Sequence, residues 1–473
     1  MRNKIIVGVH TFYHDGSIAT YNLDTKEFKY LKFERITGIK EQFHNNFNSW
    51  KEYLIYLGYS TNDILDVFFV HADEIEKRRK DLHLVDHHVA HHYSAFNNNT
   101  IVIDDIGSQK DVLSIFKQND LVEKLKTHKN YSLGKTLQFL WGLWFTHNYE
   151  GVKSSHAGHC MALAAFGKNY SNNIGEQLKE TSMERFQKFC NTFHNLTYQE
   201  NCNNYVNSLH FYWYKKIKNI LENHFQKNDI IHASGGVTEN IILNTLIKKD
   251  FPNYEPIPHC GDEGSSIGAL IYGLKNFYKI DFKIDQNKIY QNDENFGYAK
   301  EVTIQKVAEL LHQGKLVMWG QGWGEVGPRA LGYRSILMNP CTPNAKQIIN
   351  DKIKKRIWFR PYGASVPYDR CDKYFDLEHK SPYMLYQALV KDPVTFYNIT
   401  HADGTCRIQT VEKENPLYEL LKEFEKLSGY PILINTSMNL PGKPIVGTKK
   451  QAKIMFDNSQ ADVLVMGDEI YTK

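Results

Sequence analysis

The chain alternates short apolar runs with amphipathic stretches. KIIVGVH (4–10) is a compact β-type run, TFYHDGS supplies turn residues and IATYNL returns, so a hairpin is expected to open a sheet. WKEYLIYLGY (50–59) has helical spacing, DVFFVH (66–71) reads as a buried strand, and TIVIDDIGS (100–108) reads as another that ends in acids and a glycine. YSLGKTLQFLWGLWFTH (131–147) predicts a packed helix, and AGHCMALAAFGK (157–168) is rich in small residues and stops at a glycine. NDIIHASGGVTENIILNTLI (228–247) predicts a strand, a Gly-Gly turn and a helix; PHCGDEGSSIGALIYGL (258–274) predicts a turn and a helix. Strands alternating with helices predict an α/β fold. The period is lost over 275–300, which sets the expected boundary between a domain of residues 1–285 and a second α/β domain of residues 300–473. No internal repeat and no low-complexity tract stands out.

Composition narrows the class. At 473 residues the chain is too long for one ordinary core, and 42% hydrophobic with 23% charged residues is a folding composition, not a disordered one. No apolar run approaches the ~18–20 residues of a membrane span, and the opening MRNKIIVGVHTFYHDG is too polar for a secretory leader, so neither is expected. The seven cysteines are scattered and odd in number, without a CxxC pair. That predicts free thiols in a reducing compartment, hence a cytoplasmic location. A net charge of +4 permits an anionic substrate without demanding nucleic acid.

The candidate chemistry begins with five histidines between His83 and His92. His87 and His91 are four apart, which on a helix places both on one face and able to share a metal. Asp104 ends a buried strand, and Asp262 lies in the Gly-flanked turn CGDEGSS at an expected helix start. Together the four make a mixed N/O set that suits Fe, Mn or Zn better than Mg. The turns ASGGVTEN, with Gly235, Gly236 and Asn240, and GDEGSS, with Gly264, are of the kind whose backbone N–H groups cradle phosphate. The second domain carries arginines among glycines and prolines. QGWGEVGPRALGYRS holds Arg329 and Arg334; KKRIWFRPYGAS holds Lys354, Lys355, Arg356, Arg360 and Ser365; HADGTCRIQT holds His401 and Arg407; INTSMNLPGKP holds Asn435, Thr436, Ser437, Asn439 and Lys443. Clustered arginine on such turns favours bidentate capture of phosphate or carboxylate.

These segments, in this order and with FYHDGSIA, FRPYGASV, SPYMLY and PILINTSMNLPGKPIV, resemble the O-carbamoyltransferases of antibiotic and nodulation-factor biosynthesis. The resemblance implies an actin-like, ATPase-type first domain similar to the tRNA threonylcarbamoyl-transfer enzymes. It implies a second domain similar to the threonylcarbamoyl-adenylate synthase fold. It further implies that carbamoyl phosphate and ATP (with Mg) form carbamoyl-adenylate in the second domain, with Arg329 and Arg360 catalytic. Gly235, Gly236, Asn240, Gly264, Arg334, Lys355, Ser365, Asn435, Ser437 and Lys443 would hold the co-substrates. A divalent metal on His87, His91, Asp104 and Asp262, expected to be Fe(II) with Mn(II) or Zn(II) as alternatives, would serve transfer. His14 would be the general base for the acceptor hydroxyl, with Asp15 beside it. Two departures from the family pattern touch this set: His159 and Ala165 stand where Lys and Pro are usual, and Pro441 and Lys443 where Arg and Glu are usual.

Three features favour 5-hydroxymethylcytosine in DNA as acceptor: a chain trimmed relative to a typical member, a Lys/Asn-rich composition, and basic residues interleaved with aromatics in KKRIWFRPY and HFYWYKKIK (210–218). A sugar or natural-product hydroxyl is the alternative acceptor. A nucleotide-sensing binding protein is the rival of a different class. No membrane partner is expected, and a homodimer is compatible with the sequence.

Overall fold

In a computed structural model of the protein the structure describes residues 4–11, 15–40, 49–71, 83–104, 111–126, 132–148, 157–174, 182–283 and 293–473. The first sheet contains β1 (Ile5–His10), β2 (Ser17–Asn22), β3 (Phe28–Lys32), β4 (Ile64–His71) and β5 (His83–Asp86), in the order β3-β2-β1-β4-β5. β1, β2 and β3 pair antiparallel, whereas β4 and β5 join β1 in parallel. The second contains β6 (Thr100–Ile103), β7 (Asp111–Lys117), β8 (Asp120–Lys126), β9 (Ile231–Ser234) and β10 (Tyr254–Pro256), in the order β10-β9-β6-β7-β8. Its pairing repeats the first: three antiparallel strands, then two added in parallel.

An internal repeat is therefore present, contrary to the sequence reading. It resides in strand order and not in residue identity, because hydrogen-bonded topology survives changes that erase sequence similarity. The N-terminal half of the chain is thus built from two five-stranded units of the same strand order. The opening hairpin, the strands at 66–71 and 100–103 and the strand-turn-helix at 231–250 all form as the pattern predicts. The stretch 50–59 is helical but wound as a 3₁₀ helix, Ser49–Leu57, with Trp50, Tyr53, Leu54 and Leu57 buried against the first sheet.

Helices bring the halves together. They are α1 (Phe33–Thr37), α2 (His87–Ser94), α3 (Leu133–Asn148), α4 (Ala157–Leu163), α5 (Ser182–Thr192), α6 (Tyr198–His224), α7 (Ile241–Asp250) and α8 (Ser265–Asn276). α2 leaves the first sheet and packs on the second, while α8 follows the second and packs on β1, β2 and β4. The two helices also touch each other, and glycine sets the distance. A Cβ on Gly268 would lie 1.7 Å from Ala90 O, and one on Gly8 would lie 2.1 Å from Ser266 O.

The third sheet has nine strands: β11 (Val317–Gly320), β12 (Arg334–Met338), β13 (Gly363–Pro367), β14 (Phe375–Asp376), β15 (Tyr386–Val390), β16 (Thr405–Val411), β17 (Leu433–Ser437), β18 (Val463–Met466) and β19 (Glu469–Thr472). It is anchored to the other two. Asn244 of α7 donates to Leu385 O at 3.0 Å, Tyr386 Oη donates to Tyr254 O at 2.8 Å, and Phe359 is buried in the same apolar cluster as Trp213 and Leu133. Among the described residues no helix is long and apolar enough to cross a membrane.

Replacing Gly268 with Ala should force α2 from α8 and cost ~1–3 kcal/mol or more by overpacking, read by urea unfolding. Gly142→Ala in α3, where a Cβ meets nothing within 4 Å among the described residues, is the control and should be neutral or stabilising. Equal effects would mean that the α2–α8 contact is not tight.

Candidate active site

The histidine helix starts where β5 ends. Asp86 caps it, accepting from His88 N at 3.0 Å and Val89 N at 3.2 Å. Such a cap is worth ~1 kcal/mol and fixes which way each imidazole points. His88, His91 and His92 meet hydroxyls on the second sheet. His88 Nδ1 is 2.7 Å from Ser114 Oγ on β7, His91 Nδ1 is 3.0 Å from Ser234 Oγ on β9, and His92 Nδ1 is 3.0 Å from Thr100 Oγ1 on β6. His92 also stacks on Phe116 with ring centroids 4.3 Å apart. Burial pushes His88 down to about 3 and His92 down to about 4, so both are neutral packing groups at ordinary pH.

His87 and His91 point the other way, into a cluster with Asp104 and Asp262. Their Nε2 atoms are 3.2 Å apart; His87 Nε2 is 2.8 Å from Asp104 Oδ2, and each Nε2 is 3.4 Å from Asp262 Oδ1. One ligand atom from each of the four residues lies within 4.8 Å of the others. Burial works against charge on His87, but Asp262 and Asp104 outweigh it and hold the imidazole well above the usual histidine range. Burial likewise opposes ionised Asp262, yet His87, His91 and His10 hold it well below the carboxylate range. Two buried carboxylates held ionised beside two imidazoles form a donor set that a divalent cation fits. The bond from His91 Nδ1 to Ser234 is the outer contact that would orient such a ligand.

His10, which sequence reading passed over, ends β1 with Nε2 3.8 Å from Asp262 Oδ2. Its signal was its place at a strand C-terminus, where ligands of α/β sheets gather. Glu263, next to Asp262, is pushed up to about 8 by burial and so stays protonated near neutral pH. Asp15 is held by Lys32, with Nζ 2.6 Å from Oδ1, and His14 lies outside the described residues. The side chain of His159, on α4, is likewise outside them.

The predicted phosphate turns hold tight backbone contacts. Gly235 has φ +95°, and a Cβ there would meet Ile103 O at 2.3 Å; one on Gly264 would meet His259 O at 2.2 Å. Asn240 caps α7, accepting from Ile242 N and Leu243 N, and donates to His210 Nε2 at 2.9 Å. A Cβ on Gly236 would lie 3.4 Å from Asp104 Oδ1. Gly236 also lines an open cleft together with Leu133, Leu137, Met161, Glu239, Asn240 and Arg329.

Arg329, which lines that cleft, belongs to a cluster of cations. Burial first, then repulsion from Arg356, Arg407 and Arg329, holds Arg360 well below the ordinary arginine range, and Arg407 is pushed down to about 9 by burial, Arg329 and Arg356. Lys354 is held well below the ordinary lysine range by burial, Arg356 and Arg360. It donates to Asn439 Oδ1 at 2.6 Å and Asn439 O at 3.0 Å and lies 3.3 Å from Ser437 Oγ. Arg356 donates to Thr436 Oγ1 at 3.2 Å and lies over the Tyr362 ring. Arg329 pairs with Glu239 at 3.2 Å. Buried cations that lower one another's pKa values make a site for an anion carrying several charges.

Other predicted members lie elsewhere. Arg334 is fully buried below the cluster: its Nη1 donates to Gln321 O at 2.8 Å, its Nη2 to Glu294 O at 2.6 Å, and its guanidinium stacks on Phe296 at 3.6 Å. Its hydrogen bonds are spent on backbone carbonyls, so it shapes the loop and is not a co-substrate ligand. Lys355 is also corrected: it has φ +47°, is exposed and turns its amine back to Asp351 O, while its neighbour Lys354 faces inward. Ser365 and Asn435 are fully buried in one network, with Ser365 Oγ 2.7 Å from Gln409 Oε1 and Asn435 Nδ2 2.9 Å from Ser365 Oγ. Lys443 is exposed.

Residues 308–473 match the family model described as Carbamoyltransferase C-terminus. Over that C-terminal part, about a third of its length, the chain is similar to the carbamoyltransferases. It is 29% identical to an uncharacterized protein of Methanocaldococcus jannaschii, over 82% of this chain and 73% of that one. It is 29% identical to nodulation protein NolNO of Sinorhizobium fredii over 54% of this chain and 42% of that one. It is 28% identical to the 3'-hydroxymethylcephem-O-carbamoyltransferase of Amycolatopsis lactamdurans over 51% of this chain and 49% of that one. The chain thus spans about half the length, or less, of the last two.

The crowding of charge has a measurable consequence. Arg360→Met should raise the stability of the ligand-free protein, because it removes one of several like charges that repel one another in the cluster. It should also shrink the rise in Tm that pyrophosphate gives the parent protein. Lys354 binds its proton more weakly when folded than at its unfolded value of 10.5, so ligand-free stability should rise with pH as 10.5 is approached from below and be lost as pH falls. Bound pyrophosphate should flatten that slope. A variant less stable than the parent and still shifted fully by pyrophosphate would remove the anion site.

Proposed function

We propose that the chain is an ATP- and carbamoyl-phosphate-dependent O-carbamoyltransferase, with adenylation in residues 300–473 and transfer in residues 1–285. One observation carries the reading: a single cleft is lined both by Arg329 of the cation cluster and by Gly236, where a Cβ would lie 3.4 Å from Asp104 Oδ1 of the metal-type quartet. A binding protein that only senses nucleotide has no use for two such different sites on one cleft.

In the first step water cleaves carbamoyl phosphate to carbamate and phosphate. A carbamate oxygen then attacks the α-phosphorus of ATP, held as its Mg complex, and pyrophosphate leaves. Arg329, Arg356, Arg360, Arg407 and Lys354 would neutralise and align the two anions, a role in which positioning and charge stabilisation dominate. Carbamate is short-lived in water, so it must be used where it is made. In the second step the acceptor hydroxyl attacks the carbamoyl carbon, AMP leaves, and His14 takes the hydroxyl proton. His87, His91, Asp104 and Asp262 would hold a divalent cation, for which an N/O donor set favours Fe(II), Mn(II) or Zn(II), and which supplies Lewis-acid polarisation of the carbamoyl carbonyl.

For the acceptor we favour a small-molecule hydroxyl. The segment HFYWYKKIK lies in α6, where His210, Trp213 and Ile217 are buried. Lys218 is 3.1 Å from Asp250, and Lys215 reaches Asn172 at 3.0 Å. In KKRIWFRPY, Phe359 is in the core and Arg356 and Arg360 belong to the anion cluster. Of the aromatics in those stretches only Trp358 is exposed, so they offer one ring and not a row on which bases could stack. A related protein named for acting on a hydroxymethylcephem is consistent with a compact acceptor.

Labelled pyrophosphate should enter ATP only when carbamoyl phosphate is present; no exchange in metal-replete protein would sink the enzyme reading. His91→Ala should lose bound metal and final transfer while keeping exchange within about twofold, since the sites are separate. An equal loss of exchange would refute the division of labour. A mass-shift assay across hydroxymethylcytosine DNA, the free nucleotide and aminoglycosides should mark a small molecule; carbamoylation of the DNA alone would restore the nucleic-acid acceptor.

A further inference from the structure

Arg35 belongs to α1 in the first domain, yet its guanidinium ends in the second. Nη1 donates to Ile445 O at 2.7 Å, Nη2 donates to Glu325 O at 3.3 Å, and Asp293 Oδ2 lies 3.7 Å away. In return Gln451 Nε2 donates to the Arg35 carbonyl at 3.0 Å. The side chain is 2% exposed. A guanidinium buried this deeply and bonded at both ends resists displacement, because freeing either end strands a charged donor.

The two carbonyls it takes belong to the two loops that build the cation cluster. Glu325 opens the segment that carries Arg329, and its Oε1 gathers that segment by accepting from Leu331 N at 2.7 Å, Tyr333 N at 3.0 Å and Arg334 N at 3.0 Å. Ile445 closes the segment after β17 that carries Ser437 and Asn439, the partners of Lys354. On its other side, α1 continues directly from β3. There Lys32 is 2.6 Å from Asp15 and 3.2 Å from Glu34. One helical turn of the first domain thus touches both anion loops and the turn that bears Asp15. Simple adhesion between domains is already supplied by the α7–β15 contacts, at the far end of the third sheet from these loops.

We infer that Arg35 is a positioning residue that seals the junction between the two half-reactions, holding both anion loops against the first domain so that carbamoyl-adenylate is passed on without release. The inference rests on the two-step reaction proposed above. If the intermediate escapes, a water oxygen attacks its carbamoyl carbon and the bond from that carbon to the phosphate oxygen breaks. AMP then leaves with that oxygen, and the carbamic acid falls to carbon dioxide and ammonia.

The test uses the full chain with ATP, carbamoyl phosphate and no acceptor. The parent protein should exchange pyrophosphate with little net AMP. Arg35→Gln should keep exchange within about twofold and raise net AMP release about five- to tenfold, the size of a disrupted coupling contact, with Arg35→Lys between the two. A merely structural role would lower exchange and AMP release together, and an unchanged ratio of AMP to exchange overturns the inference. If Arg35→Gln does not fold, Gln451→Ala loosens the same helix through the Arg35 carbonyl and is judged by the same ratio. Absence of exchange in the parent protein would instead overturn the two-step reaction.

Discussion

Positive charge crowded into a buried space is the constraint around which the loops of the third sheet are organised. Arg356, Arg360 and Arg407 each lower a neighbour's proton affinity, Lys354 is lowered by two of them, and Arg329 adds its charge with Glu239 as its carboxylate partner. Like charges brought this close would push the loops apart. They are kept in place by groups that carry no catalytic duty: Glu325 under the Arg329 loop, Asn439 on Lys354, Arg334 on four carbonyl-bearing residues, and Arg35 from across the junction. Strain of this sort persists where the surroundings over-determine it, and a bound anion would relieve it.

The metal-type quartet poses the opposite problem, two carboxylates in one buried space, and solves it locally. His87 and His91 counter Asp104 and Asp262 directly, while the remaining imidazoles of the helix stay neutral against serine and threonine hydroxyls. That division explains why so many histidines stand together: a tryptophan or leucine in their place could not satisfy the hydroxyls of β6 and β7, and a lysine could not be buried uncharged at so little cost.

Much of this was legible in the sequence. The i,i+4 pair, the strand-end Asp104 and the turn Asp262 are local signals, and each depends on a neighbour within a few residues. Most of the strands and the Gly-Gly turn were readable for the same reason. What escaped reading depends on distant chain. Nothing in KK tells which lysine faces inward; the left-handed turn at Lys355 decides it, and that turn ends a helix whose packing is tertiary. Arg334 reads like Arg329 in GPRALGYR, but β12 carries it beneath Phe296 and among carbonyls from Glu294 to Tyr333. His10 could be weighed only once β1 and the Asp262 turn were seen to meet. The repeated strand order is invisible to any residue-by-residue comparison, because what repeats is pairing.

In the two-step reaction proposed above, the two clusters of charge would complement each other. A carbamoyl group activated as a mixed anhydride with phosphate is open to water at every moment between its formation and its use. Cations are needed to form it and an electrophilic, acid-lined centre to spend it, and the two environments would neutralise each other if superimposed. The frame resolves this by geometry. Strand C-termini of both five-stranded sheets deliver His10, Asp104 and Ser234 to one side, whereas the Arg329 loop of the third sheet closes the other. Gly236 carries no side chain at the turn beside Asp104, where a Cβ would lie 3.4 Å from Oδ1. In the proposed two-step reaction, that bare turn would leave room for an activated carbamoyl group between the cations and the quartet.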